Sequence, residues 1–301
     1  GIVAGAPALD WTGRASSALR VAAAARATND AALDAAALNT LRAGALAACD
    51  AADGVADGVI ADPPHCRFDP GVLQCGAGGA AACLSPAQVA TARAIYSSPV
   101  NPATGRSITG LFPGSEAGWS TWAGVAPFGT AVDHFRYIVK GDANWSPVAF
   151  DFDRDAPLAE SQDANTINAM NPDLRAFFRR GGKLIQYHGW SDPQISPGAS
   201  PQYYESVVQR IGSLEAVKRS HRLFMVPGMA HCAGGDGADR FDMLPALENW
   251  VERGIAPEQV PARREREGRV DRTRPLCAYP AVPQYMQGNA DDAGSFRCVM
   301  P

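Results

Sequence analysis

Charge is scarce in this chain of 301 residues: Asp, Glu, Lys and Arg together make up 19%, and the formal net charge is only −4. No basic run interrupts the sequence. A nucleic-acid partner is therefore not expected, because a polyanion requires clustered Lys and Arg. Long apolar runs are absent too, and no stretch approaches the roughly 20 residues that span a bilayer, so a membrane partner is not expected either. Histidine is limited to five residues. What is abundant is apolar: 46% of the chain is hydrophobic, enough for one large domain or two smaller ones. No internal repeat stands out, and the alanine tracts keep helical apolar spacing, so they read as helix rather than low-complexity disorder.

Two of the five histidines lie next to strand-like sequence that carries chemistry. In Gly182-Lys183-Leu184-Ile185-Gln186-Tyr187-His188-Gly189-Trp190-Ser191-Asp192-Pro193, an apolar run opens into a Gly/Pro loop, the pattern of a buried strand and its exit. Asp192 then sits at the strand's carboxyl end. A second such run, Arg222 to Val226, breaks into Pro227-Gly228-Met229-Ala230-His231-Cys232-Ala233-Gly234-Gly235, which places His231 beyond another strand. Parallel sheets gather active sites outside the carboxyl ends of their strands, so these loops can bring Asp192 and His231 together. An imidazole that removes a proton from a hydroxyl nucleophile needs a carboxylate to orient it and to stabilise the imidazolium. Each residue also has a structural reading: Asp192 as a turn or cap residue, and His231 beside Cys232 as a soft-metal ligand, although no second His or Cys stands nearby at ligand spacing.

The missing member is the nucleophile. An α/β-hydrolase presents it in Gly-x-Ser-x-Gly between a strand and a helix, ahead of the Asp and the His. No such elbow occurs. Ser115 in Gly114-Ser115-Glu116-Ala117-Gly118 lacks the spacing, and Ser191 adjoins the Asp itself. The chain opens at Gly1-Ile2-Val3-Ala4-Gly5-Ala6-Pro7 without a methionine, as if at the strand following the elbow helix, so the nucleophile is expected upstream. On its own, the polypeptide is expected to be inactive, and any signal peptide lies outside the reading.

The expected fold class is α/β, a partial α/β-hydrolase core with a large inserted lid domain. Residues 1–10 and 171–301 form the incomplete core, in which strands and helices alternate up to an amphipathic helix from Phe241 to Arg253 stopped by Gly254. Residues 11–170 form the lid: alanine-rich helix from Ala15 to Ala48, then Gly/Pro/Cys-rich loops, then Trp119, Trp122, Phe128, Phe135, Tyr137 and Trp145 in sequence with little strand periodicity.

Taken together, Gly1 to Pro7, Cys49 to Ile60, Cys83-Leu84-Ser85-Pro86-Ala87-Gln88-Val89, Tyr187 to Asp192, Val226 to Cys232 and Arg272 to Pro280 resemble the tannase and feruloyl esterase family of α/β-hydrolases, to which the mono(2-hydroxyethyl) terephthalate hydrolases also belong. The resemblance covers nearly the whole chain. It implies a carboxylic-ester hydrolase acting on a small aromatic-acid ester through a Ser-Asp-His triad, with Asp192 and His231 in place and the Ser, directly after a Cys, in an N-terminal segment missing here. A feruloyl or galloyl ester is preferred over a terephthalate monoester, because Phe128 to Trp145 offers only Arg136 or Lys140 for a free carboxylate. A non-catalytic, calcium-stabilised binding domain is the rival of another class, and a serine peptidase on the same core is the other enzyme reading. By resemblance, Trp122 contacts the substrate ring and Ile195 lines the acyl pocket; ordinary packing is the alternative for both. His188 reads as a structural, hydrogen-bonded histidine, as do His65, His134 and His221.

Seven cysteines suit an oxidising location, secreted or periplasmic. Six cysteines alone allow 15 pairings. Proximity together with the resemblance points to Cys49 with Cys66, Cys75 with Cys83, and Cys277 with Cys298, leaving Cys232 for the Cys beside the missing nucleophile. Asp50, Asp53 and Asp57, interleaved with Gly54 and Gly58, suit a hard cation as well as a cluster of Asx-turns. The loop is not an EF-hand, since Ala61 stands where the terminal Glu would fall. Relatives bind calcium in such a loop. The resemblance therefore implies a structural Ca²⁺ held by the Asp50, Asp53 and Asp57 side chains and the Val55 and Val59 carbonyls.

Overall fold

The computed structural model describes residues 1–76, 82–122, 124 and 126–301. Two compact units emerge, one from Ala8–Ala45 and Arg67–Met170, the other from Gly1–Pro7, Leu46–Cys66 and Asn171–Pro301.

The first unit is helical. Its helices are α1 (Trp11–Ala25), most of α2 (Ala35–Cys49), α3 (Pro86–Tyr96), α4 (Gly129–Asp133) and α5 (Phe152–Asp163). The alanine-rich sequence is helical as expected except at residues 26–34, which are not helical and divide it into α1 and α2, and local chemistry sets its start: the Asp10 carboxylate accepts from the Gly13 amide at 3.0 Å. In α3, Ser85 and Gln88 form a reciprocal capping box, with Pro86 in the first turn. Leu19, Leu41, Leu84, Trp119 and Phe135 are wholly buried in this core. The aromatic stretch with little strand periodicity forms helical turns at Glu116–Thr121 and His134–Val139 around α4. There Phe135 stacks on Trp145, ring centroids 5.7 Å apart, and the Trp119 indole donates to Ser115 Oγ at 2.8 Å.

The second unit carries a parallel sheet of β1 (Ile2–Gly5), β2 (Leu184–Gly189) and β3 (His221–Val226) in that order. Val3 pairs with Ile185, and Tyr187 with Phe224. Every residue of β3 is buried, which explains its unbroken apolar stretch from Leu223 to Val226. Helices α6 (Arg175–Arg179), α7 (Ala199–Ile211), α8 (Leu214–Lys218) and α9 (Leu244–Arg253) accompany the strands. The expected Phe241 to Arg253 helix begins at Leu244, whose amide donates to the Asp242 carboxylate at 2.9 Å, and stops at Gly254 with φ 72°. Beyond it the sequence predicts no individual strand, only the Cys277–Cys298 pairing within the core. There β4 (Gln259–Arg266) pairs antiparallel with β5 (Arg269–Cys277), and β6 (Val282–Tyr285) with β7 (Phe296–Val299). The α/β class expected from the sequence is the one observed.

The boundaries differ from those expected. Residues 8–10 belong with the helical unit, where Asp10 caps α1, and residues 46–66, expected within the lid, belong with the sheet unit. Side-chain chemistry accounts for the second difference. Arg274 pairs with the Asp57 carboxylate, Arg272 donates to the Asp57 carbonyl at 2.9 Å, and Gln284 donates to the Asp53 carbonyl.

The three expected disulfides form: Cys49 with Cys66, Cys75 with Cys83, and Cys277 with Cys298. No helix among the described residues is long and apolar enough to cross a membrane.

Candidate active site

Strands β2 and β3 run parallel and in register, so the loops leaving their carboxyl ends start side by side. The Asp192 loop follows β2; the His231 loop follows β3. Two backbone bonds tie them, from the Trp190 amide to the Val226 carbonyl at 2.9 Å and from the Ser191 amide to the Met229 carbonyl at 3.0 Å. Such an approach requires glycine at 189. A Cβ there would lie 2.7 Å from the Ala230 carbonyl oxygen and closer still to that of Met229. Gly228 and Gly235, at φ 69° and 90°, turn the His231 loop back on itself, and the Ala230 amide closes it onto the Gly234 carbonyl at 3.0 Å.

The outcome is a dyad. His231 Nδ1 lies 2.7 Å from Asp192 Oδ2; the carboxylate is fully buried, whereas the imidazole is 34% exposed. An ionised carboxylate only accepts, so Nδ1 carries the hydrogen and Nε2 of the neutral ring keeps its lone pair. The other carboxylate oxygen, Oδ1, accepts from the Gln194 amide at 2.7 Å and the Ile195 amide at 3.0 Å. Burial opposes ionisation of Asp192, but hydrogen bonds from His188, the Ile195 amide and His231 outweigh it and hold the carboxyl below its usual range. The carboxylate is thus charged where the imidazolium would need it.

The sequence reads His188 as a structural, hydrogen-bonded histidine, outside the acid–base pair. It proves to be wholly buried, with Nε2 3.1 Å from Asp192 Oδ2 and Nδ1 2.7 Å from Ser200 Oγ. Its only sequence signal was its place four residues before Asp192 at the same strand end. His221, in contrast, is packed against Tyr203 and Tyr204 and bonded to Gln186 at 3.2 Å; burial pushes its pKa down to about 3. His134 accepts from the Trp11 indole at 3.1 Å in the helical unit, and His65 pairs with Asp62 at 2.7 Å on the surface.

Cys232, adjacent to His231, sits at φ 62° and is the one unbonded cysteine among the described residues. Burial and the Asp192 charge push its thiol pKa up, the opposite of what a thiolate nucleophile needs. Ile195 joins the site through its backbone, and its side chain is half-buried. Trp122 is buried within the helical unit, roughly stacked with Phe128 at 6.4 Å, and its indole N–H has no hydrogen-bond partner among the described residues.

The acidic loop closes largely on itself. Asp50 accepts from the Asp57 and Gly58 amides at 3.1 and 2.8 Å, Asp53 accepts from the Val55 amide at 3.2 Å, and Asp57 accepts from the Val59 amide at 3.1 Å. Asp57 also faces Arg272 and Arg274. Among the described residues, no three His, Cys, Asp or Glu side chains are arranged to hold a metal. One member is nonetheless uncomfortable: burial, with the Asp57 and Asp50 charges adding to it, raises Asp53 to about 6 despite the Val55 amide. A hard cation would suit this donor chemistry, at the expense of rearranging the bonds just described.

Comparison with known proteins follows the same outline. Residues 1–299 match the family described as tannase and feruloyl esterase. An uncharacterised esterase of Xanthomonas campestris pv. campestris is 38% identical over 99% of this chain and 61% of its own length. The mono(2-hydroxyethyl) terephthalate hydrolase of Piscinibacter sakaiensis is 34% identical over 88% of this chain and 52% of its own length. The crystal structure of feruloyl esterase B from Aspergillus oryzae superposes with a TM-score of 0.92 at 30% identity, over 99% of this chain and 63% of that one. The chain thus spans between about half and two thirds of the length of these relatives.

Proposed function

The chain belongs to the tannase and feruloyl esterase family, and from that premise we propose that it supplies the acid–base half of a serine carboxylic-ester hydrolase for aromatic-acid esters. One observation carries the reading: the 2.7 Å bond from His231 to a fully buried Asp192 whose other oxygen is held by two amides.

In this reading His231 Nε2 takes the proton of a serine hydroxyl as that oxygen attacks the ester carbonyl. Asp192 stabilises the imidazolium, and His231 returns the proton to the leaving alcohol. Water activated by His231 then releases the acid. The serine and the oxyanion donors are assigned to a Cys-Ser-bearing segment outside these 301 residues, with that Cys bonded to Cys232. A raised thiol pKa at Cys232 supports this, since it disfavours Cys232 as the nucleophile itself. The polypeptide by itself is accordingly proposed to be inactive.

The substrate class is a feruloyl or galloyl ester, with the helical unit as lid, Trp122 against the aromatic ring and Ile195 at the acyl pocket. A terephthalate monoester is disfavoured because the two candidate cations are occupied: Arg136 donates to the Trp145 carbonyl at 3.0 Å, and Lys140 to buried Asp155 at 2.7 Å. A structural Ca²⁺ at Asp50, Asp53, Asp57, Val55 and Val59 is proposed as well, supported by the strain on Asp53. Its contribution would be to neutralise the loop's carboxylates, with no part in the reaction. Three disulfides favour a secreted or periplasmic protein.

The test is hydrolysis of methyl ferulate, methyl gallate and mono(2-hydroxyethyl) terephthalate by the product of the full reading frame. The expected order puts the first two ahead of the third, with His231→Ala abolishing all three. Preference for the terephthalate would overturn the substrate assignment, and activity surviving His231→Ala would overturn the mechanism.

A further inference from the structure

We propose that His188 is a positioning residue for the reaction, a second imidazole that fixes the Asp192 carboxylate so that Oδ2 meets His231 in one orientation. This rests on reading Asp192 and His231 as the acid–base pair. Four donors converge on that carboxylate: the Gln194 and Ile195 amides on Oδ1, and His231 Nδ1 and His188 Nε2 on Oδ2. The two amides pin Oδ1 alone. Pivoting about the pinned oxygen would still carry Oδ2 away from His231, and the His188 bond at 3.1 Å opposes that motion.

His188 is itself anchored. Its Nε2 faces an acceptor-only carboxylate and so carries the hydrogen, while its Nδ1 is bonded to the Ser200 hydroxyl at 2.7 Å. Ser200 is wholly buried in the first turn of α7. The line Ser200, His188, Asp192, His231 therefore joins a helix, the end of β2 and both site loops through fully buried groups, up to the exposed edge of His231. A histidine kept only for packing has no need of this. His221 is equally buried, one strand away, yet its Nδ1 has no hydrogen-bond partner among the described residues. Supporting groups of this kind hold catalytic side chains within the narrow geometry that proton transfer demands.

Two substitutions separate positioning from packing. His188→Phe keeps a ring but removes both bonds, whereas His188→Gln can restore a donor to Asp192. In proton NMR of the 301-residue chain, the His231 Nδ1–H should give a low-field, solvent-protected resonance that is absent in His231→Gln. That resonance should be lost in His188→Phe and retained in His188→Gln. In the product of the full reading frame, kcat should fall about tenfold for His188→Phe, with KM within about twofold, and recover in His188→Gln. Ser200→Ala provides an arm that does not depend on the Phe variant folding: it should speed solvent exchange of the same proton.

A His188→Phe protein with an unchanged resonance and unchanged kcat would overturn the proposal, as would unchanged exchange in Ser200→Ala. Should Asp192→Asn and His231→Gln also leave turnover intact, the acid–base reading fails and this inference with it. Should those two abolish turnover while His188→Phe does not alter it, the positioning role alone is refuted.

Discussion

Replacing Gly189 by Ala probes how the two loops are brought together. The added methyl would meet backbone, not a flexible side chain: the Ala230 carbonyl oxygen at 2.7 Å and the Met229 carbonyl oxygen closer still. Relief requires the His231 loop to move off the end of β2. The Ser191 amide would then lose its bond to the Met229 carbonyl, now 3.0 Å. Overpacking of a tight interior contact costs about 1–3 kcal/mol, and the lost hydrogen bond about 1 kcal/mol more. Together these predict a loss of roughly 2–4 kcal/mol, seen as a lower urea midpoint at unchanged slope and a Tm lower by roughly 3–6 °C. Gly129→Ala serves as the control, because a Cβ there meets nothing within 4 Å. Equal midpoints for the Gly189 variant and the control would refute the close-approach argument.

Further outcomes follow from the same geometry. Burial depresses His221 to about 3 in the folded chain, below its unfolded value, so the unfolded state binds more protons across that interval. Stability should therefore decline as pH falls from about 6.5 toward 3, and His221→Phe should flatten that part of the Tm-versus-pH curve; parallel curves would contradict this. Breaking the Cys277–Cys298 bond, which closes 21 residues between β5 and β7, should cost about 3 kcal/mol in chemical denaturation. Protein prepared with calcium should retain about one equivalent by elemental analysis and lose thermal stability on chelation, by roughly 3 kcal/mol at calcium levels a hundredfold above Kd. No retained metal and no change in Tm would remove calcium from the account.

Much of the site was legible because its determinants are local. An apolar run followed by Gly and Pro marks a buried strand and its exit, and two such runs located Asp192 and His231 beyond β2 and β3. The three disulfides were legible only with the family resemblance beside the spacing. Two things were not legible. His188 looks in sequence like any polar residue at a strand end; its importance comes from Asp192 folding back toward it and from Ser200, twelve residues on, reaching its other nitrogen. The grouping of residues 46–66 with the sheet unit depends on Arg272, Arg274 and Gln284, more than 200 positions away. Local pattern carries no record of such pairings. The β4–β5 hairpin escaped for a related reason: charged residues such as Arg263, Arg264, Arg272 and Arg274 occupy its strands, so alternation of apolar and polar residues is weak.

The central claim is that Asp192 and His231 serve a serine lying outside these 301 residues. Fluorophosphonate labelling of the product of the full reading frame, followed by peptide mapping, tests it most directly. The expected result is a single labelled serine directly after a cysteine, in a peptide outside this sequence, with labelling lost in His231→Ala. A labelled serine within residues 1–301, or labelling indifferent to His231, would contradict it.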